Sequence, residues 1–501
     1  MKKKASFFLL FFFLLLTLFY YLSIKDNQKK CYGVELNVLT INSFNLNPDI
    51  PRISYIGSSF ADMTITRLSA IKGINLIERT HLERAKKKLG IKPDALITKE
   101  MAVKIGDLLD ADLVVIGTIQ ALTRDSFRAG SQILDLRKED NKEEEVFISE
   151  PVNIEGGIEG IEKSANIESV NKLQGDIAQY ITKAVPVALT EEQVATVNKD
   201  YTRSGPAYVC YAQGRDFYVK FKSSEDNDTA IEFFKKAIEI DPNYALAHAG
   251  LADAMAYKAA YFKTGDKNSL NESLKAARKA ISLDPDLPEA YKSLGNTYTF
   301  QGIIEYDNDR KDKAEELWDK GIENYKRALE FNKCYVEAYI NIGRIYVFKK
   351  DRKTALNYFN KAYEIAGATS PEVNFFLGHT CAIEGNCEEA IDKFKTVITL
   401  SNDIKTPHSA FVIEAYIYSG LCYAEMNKYD MSLEEIRKAQ EINSEYHLIY
   451  YALGRIYTKE GEYNKAKEAF EIYLTKKPEG ILSKEVRELL EKIKEKIKEN
   501  N

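Results

Sequence analysis

The sequence predicts an α/β domain followed by an all-α superhelix of repeated helix pairs, behind a single amino-terminal transmembrane helix. Three observations predict it. An uncharged apolar run fills 5–24. β-branched runs alternate with amphipathic helical stripes across 34–200. Small and aromatic residues then recur at fixed offsets across 205–482. At 501 residues the chain is too long for one compact core, so separate domains are expected.

The apolar run follows Met1-Lys2-Lys3-Lys4, and its core reads FFLLFFFLLLTLFYYL. Twenty helical residues rise about 30 Å, enough to cross a bilayer core. Tyr20 and Tyr21 fall near the far end, where amphipathic rings favour the interface. A cleaved signal peptide shares the basic start and apolar middle and stays open. No small-x-small site precedes Lys25, however, and Cys31 after Gln28-Lys29-Lys30 lacks the small-residue context of a lipoprotein site. An anchor over 1–30, touching the membrane through 5–24, is therefore the favoured expectation. Lys2 to Lys4 place the amino end inside, although Lys25, Lys29 and Lys30 weaken that bias. The bulk of the chain is expected on the extracytoplasmic, periplasmic side.

In 34–200, Val38-Leu39-Thr40-Ile41 reads as a strand, and Phe60, Met63, Leu68 and Ile71 as one helical stripe after Ser58-Ser59. Ile74 to Ile77 is a short second strand, and Thr80-His81-Leu82-Glu83 has the spacing of a capping box. A helix over 98–109 leads into Asp112-Leu113-Val114-Val115-Ile116-Gly117, a buried-strand signal. Extended runs near 126–137 and 146–154 and a helix over 166–184 complete an α/β layer pattern. The pieces VLTINSF, SSFADMTITRLSAI, NLIERTHLERAKKKLG and IGDLLDADLVVIGTIQ resemble the amino-terminal domain of TolB, the flagellar FlgO proteins and the curli secretion lipoprotein. The resemblance covers about 35–155. It implies an envelope-associated domain that binds other proteins or forms a homo-oligomer, and it brings no catalytic residues. No long alternating hairpin able to line a membrane barrel is visible.

The array is legible from its offsets. Tyr291-x2-Leu294-Gly295-x2-Tyr298 recurs as Tyr339-x2-Ile342-Gly343-x2-Tyr346 and as Tyr450-x2-Leu453-Gly454-x2-Tyr457. Asn374-x2-Leu377-Gly378 and Tyr416-x2-Ser419-Gly420-x2-Tyr423 keep the same frame. Ala355-x3-Phe359-x2-Ala362, Ala390-x3-Phe394 and Ala466-x3-Phe470 follow at a constant distance, and Ala230-x3-Phe234-x2-Ala237 closes the first unit. This resembles the tetratricopeptide repeat in seven copies, and the resemblance implies a superhelix of antiparallel helix pairs. Small residues let two helices approach and aromatics fill the space between them, which accounts for many of the 31 tyrosines. Extra residues near 261–269 and 303–316 stretch the second and third units, and 483–501 reads as a solvating cap helix. Ser204-Gly205-Pro206 marks the junction with the preceding domain.

The tetratricopeptide resemblance implies that the first helix of each repeat lines the concave face. Register places Tyr257, Lys292, Asn296, Phe300, Ile340, Arg344, Phe348, Phe375, His379, Tyr451 and Arg455 there. Basic and aromatic groups along one groove suit a peptide with acidic and apolar side chains; ordinary solvated helix faces are the competing account. Lys292, Asn296 and Asn341 occupy three of the five positions of a carboxylate clamp. Glu372 and Phe376 stand where its other two basic residues belong, so a clamp is not expected.

Composition narrows the function. Seventy Lys+Arg against 75 Asp+Glu give a net charge of −5, which excludes a nucleic-acid binder acting through bulk positive charge. The six cysteines (31, 210, 334, 381, 387 and 422) form no CxxC pair, and the five histidines none at ligand spacing, so no metal or cofactor is expected. His81 and His248 lack a nucleophile or metal motif, Gly156-Gly157-Ile158-Glu159-Gly160 lacks the Lys-Ser/Thr of a phosphate loop, and Glu143-Glu144-Glu145 lacks calcium-loop spacing. The expectation is a non-enzymatic, membrane-tethered scaffold that binds a protein or peptide partner through the repeat groove. An envelope assembly or secretion factor, and the sensory subunit of a kinase or cyclase system, remain alternatives.

Overall fold

The computed structural model describes residues 36–46, 63–68, 71, 74–77, 82, 85–86, 88–92, 95, 97–109, 111–123, 126–136, 143–148, 152–153, 168–184, 190–220, 223–262, 266–333, 335–366, 370–400 and 409–500. The anchor over 5–24, the helix start at Ser58-Ser59, most of the 80–83 capping box and the 156–160 glycine run lie outside them. Among the described residues no helix is long and apolar enough to cross a membrane. The chain divides into two compact units, with the second holding Tyr201–Phe331 and Tyr335–Asn501.

The first unit is built on a six-stranded sheet. Strands β1 (Leu36–Leu46), β2 (Ile74–Ile77), β3 (Leu113–Thr123), β4 (Ser126–Asp135) and β5 (Glu143–Ile148) run in the order β2-β1-β3-β4-β5, and β6 (Val152–Asn153) pairs with β4. β1 is parallel to both β2 and β3, with Val38 opposite Leu113, and β4 returns antiparallel to β3. Leu113, Val114, Val115 and Ile116 are all buried, as the continuous apolar run of a central strand covered on both faces requires. Helix α1 (Lys99–Leu108) packs on β3 through Ala102 and Ile105, and Thr98 caps it by accepting from Met101 N at 3.3 Å. Helices α2 (Glu168–Ala184) and α3 (Glu191–Val197) follow, and Thr190 and Gln193 form a reciprocal capping box at the start of α3. The buried Arg67 donates to Val197 O at 2.8 Å, tying the helical stretch 63–68 to the end of α3.

In the second unit, fourteen described helices pair as seven. The first members are α4 (Gly205–Lys220), α6 (Ala245–Tyr257), α8 (Pro288–Asp307), α10 (Val336–Phe348), α12 (Pro371–Ile383), α14 (Ser409–Glu425) and α16 (His447–Glu460). Their partners are α5 (Ser224–Ile240), α7 (Lys267–Leu283), α9 (Lys311–Phe331), α11 (Arg352–Ala366), α13 (Cys387–Leu400), α15 (Tyr429–Ile442) and α17 (Tyr463–Lys476); α18 (Ile481–Asn500) packs on α17. The repeat glycine has a packing cause. A Cβ on Gly343 would stand 2.4 Å from Phe359, and one on Gly454 2.4 Å from Phe470, so only glycine lets the aromatic of the second helix reach the first.

The turn between pair members is also repeated. Seven residues after the repeat glycine the backbone becomes left-handed: Lys350 (φ 62°), Gly385 (φ 81°), Asn427 (φ 58°) and Gly461 (φ 88°). This ends the first helix and starts the second. In the third pair the left-handed residue is Asp309 (φ 63°), seven positions further on, because α8 has 20 residues where α10 has 13. The extra residues near 303–316 therefore lengthen both helices of the pair, α8 by about 10 Å. The buried Trp318 fills the added interface, stacking on Phe348 with centroids 5.3 Å apart and lying 5.4 Å from Tyr306. The tip of the extension meets the last helix, where Lys484 Nζ lies 2.8 Å from Asp309 Oδ2. In the second pair, the extra residues begin with a π-helical turn, Lys258–Phe262, that prolongs α6.

Candidate partner-binding face

Each first helix contacts the next first helix along the array, from α4 to α16, so these seven helices line one continuous face. The eleven register-derived residues all sit on them, but they divide into three environments.

The first is a buried polar network. Lys292 and Asn296, one turn apart on α8, are 3% and 4% exposed. The Lys292 ammonium is paired with the Asp253 carboxylate of α6, and Glu337 Oε2 of α10 lies 3.4 Å away. Asn296 Nδ2 donates to Asp253 Oδ1 at 3.2 Å and to Glu337 Oε1 at 3.3 Å. Its Oδ1 accepts from the Tyr325 hydroxyl at 2.7 Å and from Asn341 Nδ2 at 3.0 Å. Burial alone would lower the Lys292 amine, but the Asp253 and Glu337 charges outweigh it and hold the group protonated, well above the usual lysine range. The Lys-Asn-Asn constellation that could bind a chain-end carboxylate is thus occupied by an aspartate of the same chain.

The second environment is core. Phe300 packs against Ala256, Ala259 and Leu270, and Ile340 lies in one cluster with Phe359, Val373 and Leu377. Phe348 stacks on Trp318. Phe375 is 3% exposed and touches Phe394 and Phe411, with centroids 5.9 and 5.1 Å away. Sequence register places these side chains on the groove; the structure buries Phe300, Ile340 and Phe375 as packing residues and leaves Phe348 partly exposed against Trp318.

Apart from the exposed part of Phe348, the third group is what remains open to a partner. Tyr257, Arg344, His379 and Tyr451 are partly exposed and Arg455 is exposed. Tyr257 meets Tyr218 edge-on at 6.2 Å. Arg344 donates to Asn341 Oδ1 at 3.1 Å and lies 5.4 Å from the Phe376 ring. His379 stacks on Phe375 at 6.2 Å and meets Tyr418 edge-on at 4.8 Å; burial holds its imidazole down at about 4, so it is neutral at pH 7. Arg455 donates to the Tyr451 hydroxyl at 2.9 Å and pairs with Glu485 of α18 at 3.6 Å, while Tyr451 donates to the same carboxylate at 3.2 Å. Beside them, Leu421, Ala424 and Ile456 floor a cleft of about 490 Å³ between α14, α16 and α18, rimmed by Glu425, Arg455, Lys459, Glu485, Glu488 and Lys492. His248, with its ring nitrogen 3.0 Å from Pro242 O, is a buried structural contact.

Asp253, Glu337 and Tyr325 complete the network, and Glu414 with Tyr418 enriches the open face; register analysis selects none of them. A signal is present. Glu289, Glu337, Glu372 and Glu414 each stand six residues before a repeat glycine. No group of three or more His, Cys, Asp or Glu arranged to hold a metal occurs among the described residues.

A tetratricopeptide repeat profile matches residues 221–244, 336–369, 413–446 and 448–474. The chain is 28% identical over 136 residues to photosystem I assembly protein Ycf3 of Rippkaea orientalis, covering 26% of this chain and 71% of that protein. It is 32% identical over 135 residues to the barley (Hordeum vulgare) probable UDP-N-acetylglucosamine–peptide N-acetylglucosaminyltransferase SPINDLY, covering 26% of this chain but only 12% of that protein. Among solved structures, a tetratricopeptide repeat protein from Parabacteroides merdae aligns over 57% of this chain and 98% of its own, at 18% identity and a TM-score of 0.39. The carboxy-terminal array is a tetratricopeptide repeat superhelix.

Proposed function

We propose that this tetratricopeptide repeat protein is a membrane-tethered, non-catalytic scaffold that holds a protein or peptide partner along the face lined by its first helices. The observation that carries it is the continuity of that face: seven first helices in unbroken contact, with partly exposed Arg344, His379 and Tyr451 and exposed Arg455 spread along it. A rigid face with pockets at repeated intervals suits an extended or helical segment. The similarity to an assembly protein supports a partner-binding role. The run 5–24 supplies the tether, and the TolB-like wording of 35–155 favours an extracytoplasmic placement beside the membrane. Tethering raises the local concentration of the face, so modest contacts suffice.

A photocrosslinking side chain placed at His379 or Tyr451 tests the face in cells. A discrete adduct from these positions, absent when the same group is placed at Lys395 or Lys438 on second helices, is expected. Equal adducts from both faces, or none from the first helices, would overturn the assignment. Protease access to a carboxy-terminal tag tests placement: digestion after opening only the outer envelope is expected, and protection until the inner membrane breaks would move the array to the cytoplasm.

A further inference from the structure

Two charges on the face are answered by ion pairs within the chain: Lys292 by Asp253 and Glu337, and Arg455 by Glu485. Glu414, at the start of α14, differs. Its carboxylate accepts from the Tyr446 hydroxyl and makes no ion pair among the described residues. A carboxylate offers about four acceptor positions, so most of its capacity is unused. Burial pushes this carboxyl up; the Tyr446 hydrogen bond and the more distant Arg344 charge pull the other way without cancelling it.

The surroundings of Glu414 are aromatic. Tyr418 stands one turn along the same helix and meets His379 edge-on at 4.8 Å. Phe411, one turn before, meets Phe376 edge-on at 5.9 Å. All four rings, and Glu414 itself, are partly exposed. Ring faces carry negative potential and Glu414 is the acidic group among them, so the patch favours a cation over an acid; Arg344, 5.4 Å from the Phe376 ring, already takes that ring, and leaves Tyr418, His379 and Phe411 beside Glu414. This reverses the expectation of an acidic peptide, whose basic anchors are already engaged.

We infer that Glu414, with Tyr418, His379 and Phe411, forms a subsite for an arginine or lysine side chain of the bound partner segment. The inference rests on the first-helix face being the binding face. A guanidinium or ammonium would take the free acceptor positions of Glu414 while its aliphatic stem lies along the rings.

The test uses the full chain and short fluorescein-labelled peptides that differ only at one central residue, Arg, Lys, Gln or Glu, read by fluorescence anisotropy. Arg and Lys peptides are expected to bind at least about tenfold tighter than Gln and Glu peptides. Glu414→Gln should abolish that difference by weakening the Arg and Lys peptides toward the Gln peptide. Should Glu414→Gln lose its helical signal, Tyr418→Leu probes the same subsite and should weaken the Arg peptide selectively. Equal or tighter binding of the Glu peptide, or an unchanged Arg preference in Glu414→Gln, would overturn the inference. If no peptide binds while the His379 crosslink still forms in cells, the subsite is refuted and the scaffold reading stands. If neither occurs, both fall.

Discussion

The Asp253 carboxylate is paired with the Lys292 ammonium across the boundary between the second and third repeats, and both side chains are 4% exposed. An ion pair so removed from water gains little net stability over apolar residues of equal volume, but breaking it strands a charge. Asp253→Ala is expected to cost about 3–5 kcal/mol, and Asp253→Leu with Lys292→Met much less than that. Urea unfolding followed by far-UV circular dichroism checks this; equal losses in the single and double variants would show that the pair does not act as a unit.

The repeated left-handed turn gives a matched pair of substitutions. Lys350 adopts φ 62° with a side chain that disfavours it, and Lys350→Gly is expected to stabilise by about 1 kcal/mol. Gly461 has φ 88°, and a methyl group added there would meet nothing within 4 Å. Gly461→Ala is therefore expected to lose about 1 kcal/mol through backbone strain alone. Gly343→Ala tests a different cause, the clash with Phe359, and should cost about 1–3 kcal/mol. The ranking of the three unfolding midpoints is the readout.

Acid should loosen the carboxy-terminal repeats. Burial holds the His379 and His447 imidazoles down at about 4, below the ordinary 6.5. The unfolded chain therefore binds protons that the folded chain refuses, and this stability, present above pH 6.5, is lost as pH falls from there toward 4. Glu414 acts oppositely: its raised carboxyl favours the fold at low pH and gives up that contribution as pH rises. Melting temperatures between about pH 7 and pH 4.5 should fall less steeply in His379→Gln and more steeply in Glu414→Gln. Parallel slopes in all three proteins would rule out both assignments.

Phe348 and Trp318 offer a local reporter, because Trp318 is the only tryptophan in the chain and lies in the lengthened third pair. Phe348→Ala should red-shift its emission and lower stability by about 2–4 kcal/mol. An unshifted spectrum would mean that the two rings do not share one packed interface.

The helix pairs are legible because their spacing is a packing rule written in residue types: glycine where an aromatic must enter, as at Gly343 with Phe359 and Gly454 with Phe470. Exposure is not legible. Register places Ile340 and Phe375 on the concave face, but does not say that neighbouring helices close over them. Asp253 is hidden for another reason. It stands three residues after Gly250, where other pairs place Tyr298, Tyr346, Tyr423 or Tyr457, so its offset signals packing rather than charge. Lys292 consequently looks like an available cation. The strands of the first unit are read at roughly their observed places, most plainly where an apolar run is continuous as in β3, although the acidic residues Glu143 to Glu145 fall inside β5; the TolB-like resemblance itself adds an expectation about partners that strand positions do not decide.

The contact between Asp309 and Lys484 changes what kind of object the array is. A stack of repeats normally behaves as an open line, in which each unit senses only its neighbours and fraying at one end costs the other nothing. Here a lengthened hairpin in the third pair reaches across to the last helix, 175 positions along the chain. Line becomes circuit: melting at the tail is felt midway up the stack without passing through the pairs between. A single exposed ion pair contributes under about 1 kcal/mol. Asp309→Lys should thus raise amide exchange in α18 only modestly, with recovery when Lys484→Asp is added, and salt should erase the difference. The inserted hairpin thus gives the third pair and the last helix a direct mechanical link that the pairs between them do not carry.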